Sequence, residues 1–288
     1  MIDKQSFIRD CEAVRAQSPL VHSITNYVAM EINANALLAI GASPLMSFCA
    51  EEMEEIVSIA SALVINIGCL DRLEIEGMRI AAATAHRLGK PWVLDPVGAG
   101  ASKIRTQTSL ELIRDSHPTI IRGNASEIMA LAGAQIVSRG VDSSNSSSDA
   151  LESAKALAQA TGAVVSVSGA TDYITDGERV ATISNGHPIM SRITAMGCTA
   201  SAVTGAFAAV CGDAFEAAWA AMAMMGVAGD IAAARSAATG VRTAPAAGKA
   251  GEAQACTGAV KGTGTMGVEF MDALSTFDAE AAAALIKE

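Results

Sequence analysis

Aromatic residues make up only 3% of this 288-residue chain and charged residues only 17%. A core short of rings must be built from Ala, Val, Ile, Leu and Met, which suits close helix–helix and helix–sheet packing. The hydrophobic share of 51% supplies ample core material and excludes the composition of a disordered chain. Positive charge is also short: the net charge is -10. That balance speaks against a nucleic-acid partner, which needs a basic footprint. A small anionic ligand needs only local positive charge and stays open. Cysteine is present but unpatterned. Cys11, Cys49, Cys69, Cys198, Cys211 and Cys256 form no C-x-x-C pair, and no histidine stands at zinc-finger distance. A structural zinc site is not expected. The first ten residues, MIDKQSFIRD, lack the apolar stretch of a signal peptide. The longest apolar runs are interrupted by Gly, Asp or Arg, so none reads as a membrane span. The expectation is a reduced, cytoplasmic protein with no membrane partner.

What is there is a rhythm. ALVINIG (62–68), PWVLDP (91–96), TIIRG (119–123) and AVVSVSG (163–169) are short, β-branched and closed by Gly or Pro turns. Helix-like runs separate them: IEGMRIAAATAHRLGK ending near Gly89, TSLELIRD, and ASEIMALAG stopped at Gly133. This alternation predicts an α/β fold, a largely parallel central sheet with helices on both faces. DYITDGERVATI (172–183) carries Asp-Gly between alternating runs, so an antiparallel hairpin should close one edge. From Cys198 to Ala238 the pattern is almost continuously helical. Two segments read as loops: the Ser-rich 138–149, and the Gly/Ala/Thr-rich 239–264, a loop insertion. Neither flank makes a complete sheet alone, so residues 1–288 read as one domain.

Parallel sheets bind ligands beyond the carboxyl ends of their strands. Several strand ends here deliver polar or Gly-rich segments to that edge: Asp95 in DPVGAG, Arg122 with GNASE, and Ser168 in SGATD. Asp95 suits either a turn cap or a Mg²⁺ ligand. Asn124 and Glu127 have the spacing of a capping box, and the bland reading is favoured on sequence alone. The functional alternative makes Glu127 a second carboxylate near the metal and Arg122 its phosphate-facing cation. AMGCTASAVTG (195–205) places Gly197 and Cys198 at a helix start, where free N–H groups attract an oxyanion. Cys198 is there a packing residue or an active thiol. GTGTMG (262–267) lacks the Lys-Ser/Thr ending of a P-loop, and no G-x-G-x-x-G follows the first strand.

SPLVHSITNYV (18–28), GASPLMS (41–47), LVINIG (63–68), LDPVGAG (94–100), RGNASEIMALAG (122–133) and the Gly-Cys at 197–198 stand in the order and spacing of the hydroxyethylthiazole kinases. The chain resembles that family, within the ribokinase-like superfamily, up to about residue 235. The resemblance implies ATP-dependent phosphorylation of the alcohol of 4-methyl-5-(2-hydroxyethyl)thiazole in thiamine salvage, with Mg²⁺. It also implies a ribokinase-like fold and a homotrimer with active sites between subunits. By position, Met46 and Ala195 would contact the thiazole, with Asn26 and Gly68 lining its pocket. Arg122 and Ser168 would contact ATP, and Asp95 and Glu127 would serve the metal and phosphates. Cys198 stands where many superfamily members carry the Asp that takes the hydroxyl proton, so it becomes the catalytic candidate. Two features depart from the family pattern. The usual Gly-Thr-Gly-Cys reads Ala195-Met196-Gly197-Cys198, and a β-carbon at 195 could forbid φ > 0. The insertion after residue 238 is the other. The competing expectations are a kinase for another vitamin alcohol, such as hydroxymethylpyrimidine, and a nucleotide-dependent dehydratase that repairs hydrated nicotinamide cofactors.

Overall fold

The computed structural model describes residues 3–139, 149–238, 260 and 262–288. The helix α1 (Lys4–Gln17) leads into β1 (Leu20–Ile24), α2 (Met30–Ile40), β2 (Ser43–Leu45) and, after a 3-10 turn, α3 (Met53–Ile59). Then follow β3 (Ala62–Asn66), α4 (Arg72–Arg87), β4 (Trp92–Asp95), α5 (Lys103–Ser116), β5 (Ile120–Asn124), α6 (Ala125–Arg139) and α7 (Asp149–Thr161). The chain continues through β6 (Val164–Ser168), β7 (Asp172–Thr175) and β8 (Val180–Ile183) into α8 (Met196–Val210), α9 (Ala214–Ala238), α10 (Thr263–Ser275) and α11 (Ala279–Leu285).

The eight strands form one sheet in the order β2-β1-β3-β4-β5-β6-β7-β8. Pairing is parallel from β2 to β6, and antiparallel from β6 through β7 to β8. The strands are apolar on both sides because helices cover both. Val64 and Val93 point into a core with α1, α2, α8, α9 and α10. Their neighbours Leu63, Ile65, Trp92 and Leu94 point into a second core containing residues of α3 to α7. Period-2 alternation therefore fills two cores at once. Gly205 on α8 lets that helix lie on β3, because a β-carbon there would collide with the Val64 side chain.

The mixed sheet, the helices on both faces and the edge hairpin are as the sequence predicts. Several expected boundaries differ. The first strand is β1, and both β1 and the edge strand β2 escape a search for apolar runs. Buried His22 and Ser23 interrupt β1, and β2 is three residues long with Pro44 inside it. The helix expected to stop at Gly133 runs on to Arg139, since an isolated Gly weakens a helix without ending it. The helical stretch from Cys198 to Ala238 breaks at Cys211, whose backbone is extended. Of the expected loops, 140–148 and 239–259 lie outside the described residues, while GTGTMG opens helix α10 at Thr263. By length and composition α9 is apolar enough to cross a membrane, yet 83% of its apolar window is buried within the protein.

Candidate active site

The carboxyl ends of β1, β3, β4, β5 and β6 open on one edge, and α8 begins there. Register fixes two side-by-side pairs at that edge: Asn66 beside Asp95, and Asn124 beside Ser168. Asp95 is fully buried, and Oδ2 accepts from Asn66 Nδ2 at 2.7 Å and from Ser201 Oγ at 2.7 Å. Asn66 Oδ1 in turn accepts from Asn26 Nδ2 at 3.0 Å and from the Gly68 amide at 2.9 Å. Asn26 Nδ2 also donates to Cys198 Sγ at 3.3 Å. One polar chain thus joins Ser201, Asp95, Asn66, Asn26 and Cys198. Gly68 is required by this chain, because a β-carbon there would fall 2.7 Å from Asn26 Nδ2 and 2.8 Å from Asn66 Oδ1.

Burial pushes the Asp95 carboxyl up to about 6, against the attraction of Arg122 and the hydrogen bonds of Ser201 and Asn66; Glu127 adds to the rise. Burial also raises the Cys198 thiol, with Asp95 adding to the rise and the Asn26 and Asn66 amides and Arg122 opposing it. A thiol raised above its ordinary range is protonated at neutral pH.

Beside the carboxylates stands a cation. Arg122 is buried, and its Nε has no hydrogen-bond partner. Its Nη1 lies against Gly197, where a β-carbon would come within 2.8 Å. The start of α8 adds positive potential. Its N-cap, Ala195, offers no side-chain hydrogen bond, and the amide of Thr199 is the one that returns to Ala195 O, at 2.8 Å. The amides of the first turn and the guanidinium therefore face one region, a combination suited to an oxyanion. Ala195 itself adopts φ 64° and ψ 5°. The β-carbon does not forbid the left-handed turn; it only charges a modest steric cost for it.

Glu127 and Asn124 do form the reciprocal cap. The Asn124 amide donates to Glu127 Oε2 at 2.8 Å, and the Glu127 amide donates to Asn124 Oδ1 at 2.9 Å. The other carboxylate oxygen, Oε1, accepts from the Gly98 amide at 2.8 Å, tying the DPVGAG turn to α6. Capping and proximity to Asp95 coexist, and each oxygen keeps a further lone pair. Ser168 Oγ donates to Gly123 O at a long 3.4 Å. Met46, just past β2, is half-buried. Its neighbour Ser47 accepts at its carbonyl from buried His22 Nε2 at 3.0 Å, which holds that loop to β1. Among the described residues no group of three or more His, Cys, Asp or Glu gathers as a metal cage.

Sequence reading missed four residues here. Asn66 carried a usable signal, a lone amide ending a β-branched strand. Ser201 lies three residues past Cys198, on the same helix face. Arg105 donates to Ile67 O, Gly68 O and Val97 O at 2.8–2.9 Å, clamping the turns after β3 and β4 together. Asp172 is buried, accepts from the Gly169 amide at 2.9 Å and feels Arg122; burial pushes its carboxyl up to about 6.

Comparison with known proteins shows the family to which this edge belongs. The profile of the hydroxyethylthiazole kinase family matches residues 11–247. The chain belongs to the hydroxyethylthiazole kinase family. A hydroxyethylthiazole kinase of Leptospira biflexa is 54% identical over 233 residues, covering 81% of this chain and 87% of that protein. One from Oleidesulfovibrio alaskensis is 44% identical over 99% of this chain and the whole of its own length. The solved structure of the hydroxyethylthiazole kinase from Pyrococcus horikoshii OT3 superposes with a TM-score of 0.83 at 36% identity, covering 98% of each chain. Pyridoxal kinase from Staphylococcus aureus, at 17% identity and a TM-score of 0.57, over 74% of this chain and 88% of that one, shares the ribokinase-like fold. Family membership makes this chain a phosphotransferase with ATP as co-substrate.

Proposed function

We propose that this chain transfers the γ-phosphoryl group of ATP to the hydroxyl of 4-methyl-5-(2-hydroxyethyl)thiazole, in thiamine salvage. The observation that carries this reading is the juxtaposition of a buried, incompletely paired Arg122 with the uncapped start of α8, next to Asn26 and Cys198. Arg122 and the α8 amides receive the charge of the transferring phosphoryl group, and Ser168 lies on the nucleotide side. Asn26, Gly68, Met46 and Ala195 border the alcohol. The balance is simple: the alcohol oxygen bonds to γ-phosphorus, the bond to the ADP oxygen breaks, and the hydroxyl proton is released.

Mg²⁺ is part of the proposal, and the residues fit it. Asp95 and Glu127 put two carboxylates close to the Arg122 guanidinium, and the Asp95 carboxyl, raised chiefly by burial and further by Glu127, is a buried oxygen donor that a cation would hold ionised. Asp95 would hold the ion directly or through water, and Glu127 through water and its remaining lone pairs. An ion held by these two carboxylates would supply neutralisation of the phosphate charge. Cys198 acts in this scheme as a positioning hydrogen-bond partner of the alcohol. A protonated thiol is a poor resting base, and a loose phosphoryl-transfer transition state demands little proton removal. A cytoplasmic homotrimer with sites shared between subunits also belongs to the proposal. The exposed Tyr27, Val28, Phe48 and Leu73 beside the site support it as apolar surface awaiting cover.

The test is incubation with MgATP and the thiazole alcohol, following the thiazole phosphate by mass, with hydroxymethylpyrimidine in parallel. Thiazole phosphate as the dominant product is expected. Phosphorylation of hydroxymethylpyrimidine alone would move the assignment to another vitamin alcohol.

A further inference from the structure

The two sides of the candidate site meet in one contact, the hydrogen bond from Asn26 to Cys198, between residues 172 positions apart in the chain. Asn26 follows β1, and Cys198 lies in the first turn of α8. Something must hold strand end and helix start at that separation. Directly behind the contact is Asn33 on α2, 1% exposed. Its Nδ2 donates to Thr25 Oγ1 at 3.3 Å, and its Oδ1 accepts from Thr199 Oγ1 at 3.1 Å. Thr25 immediately precedes Asn26, and Thr199 immediately follows Cys198. A single buried amide therefore grips the neighbour of each contact partner.

Local propensity does not account for this arrangement. Asn is a weak helix former, and α2 buries Ala36, Leu37 and Ile40 on the same side. A buried amide is costly unless bonded, so an apolar residue would be the ordinary choice. Thr199 is equally unusual. A helical Thr normally returns its hydroxyl to the carbonyl one turn back, as Thr204 does to Ala200 O at 2.7 Å. Thr199 instead reaches across to α2, and Thr25 and Thr199 are both buried.

We propose that Asn33 is a positioning residue that sets the separation of Asn26 and Cys198, and through it the placement of the acceptor alcohol. This rests on the kinase reading above. Asn33 touches no substrate in this scheme; it acts through Thr25 and Thr199.

Thr199→Val keeps the side-chain shape and removes the donor, Thr199→Ser keeps the donor, and Asn33→Leu removes both bonds. Two readouts are taken on the full-length protein: amide hydrogen exchange along α8, and KM for the alcohol against KM for ATP. In Thr199→Val, exchange of amides 199–202 should quicken about tenfold, as expected for one orphaned buried acceptor. The rest of α8 and the sheet should stay protected. The alcohol KM should rise by a similar factor while the ATP KM holds, and Thr199→Ser should behave as wild type. Asn33→Leu should repeat the Thr199→Val pattern; should it fail to fold, the threonine pair still decides. Unchanged exchange at 199–202 with unchanged alcohol KM would overturn the proposal. So would faster exchange spread evenly over the molecule. A wild-type protein that turns over no thiazole alcohol would sink the kinase reading alone, because the exchange readout does not depend on activity.

Discussion

Arg122 Nη1 rests against Gly197 so closely that a β-carbon at 197 would come within 2.8 Å of it. The glycine thus lets a buried cation approach the backbone amides that begin α8. Gly197→Ala should force Arg122 aside and weaken the phosphate end of the site. The expected result is a rise in KM for ATP of about tenfold or more, the equivalent of one lost charge-assisted contact. Steady-state kinetics with ATP varied checks it, and an unchanged ATP KM would remove Arg122 from the nucleotide site.

The raised Cys198 thiol leads to a second expectation. A general base contributes about a hundredfold or more to rate, whereas a positioning contact contributes less. Cys198→Ala should lower kcat by no more than about tenfold. Cys198→Asp restores the residue type expected of a base and should equal or exceed the Ala variant. A loss of several hundredfold in Cys198→Ala would return the proton-accepting role to the thiol.

Ala195 holds a left-handed conformation that an L-residue adopts at a cost. Ala195→Gly removes about 1–2 kcal/mol of that cost and adds about 0.5–1 kcal/mol of unfolded-chain entropy. The net gain is about 0–1.5 kcal/mol, seen as a melting temperature unchanged or higher by up to roughly 3 °C. A lower melting temperature would show that the alanine methyl packs productively.

Asp172 ties stability to pH. Its folded carboxyl lies at about 6 against 3.8 for the free group, chiefly through burial. The folded state therefore holds this proton more tightly than the unfolded chain does. Its stabilising share is complete below about 3.8 and is lost as pH rises through about 6. Asp172→Asn can still accept from the Gly169 amide, so it should gain on wild type as pH rises from 4 to 7. The gain should reach about 1–3 kcal/mol, by the conversion of pKa shift to free energy. Urea denaturation at pH 4.5 and 7.5 measures it, and a constant offset between the two pH values would assign the effect to packing.

The central strands were legible because β3 to β6 are short apolar runs closed by turn residues, and each delivers a polar group at its end. Asp95, Arg122 and Ser168 were found by that rule alone. The Asn124–Glu127 cap was legible for a similar reason, since its partners lie within one helical turn. β1 was hidden because His22 and Ser23 are buried polar residues inside a strand, and nothing local says that Ser47 O will receive the His22 ring.

Composition and periodicity by themselves determined the α/β architecture, the antiparallel edge and the strand ends where a ligand could bind. Spacing of motifs determined the family. These depend on interactions within a few residues or on repeating patterns, which a linear sequence displays. Only the tertiary structure decided that Asn66 joins Asp95 to Asn26, that Ala195 turns left-handed, and that Asn33 stands behind the Asn26–Cys198 contact. Each of these depends on packing two or more elements distant in the chain, and a hydrogen bond of 3 Å is set by that packing rather than by the identity of either partner.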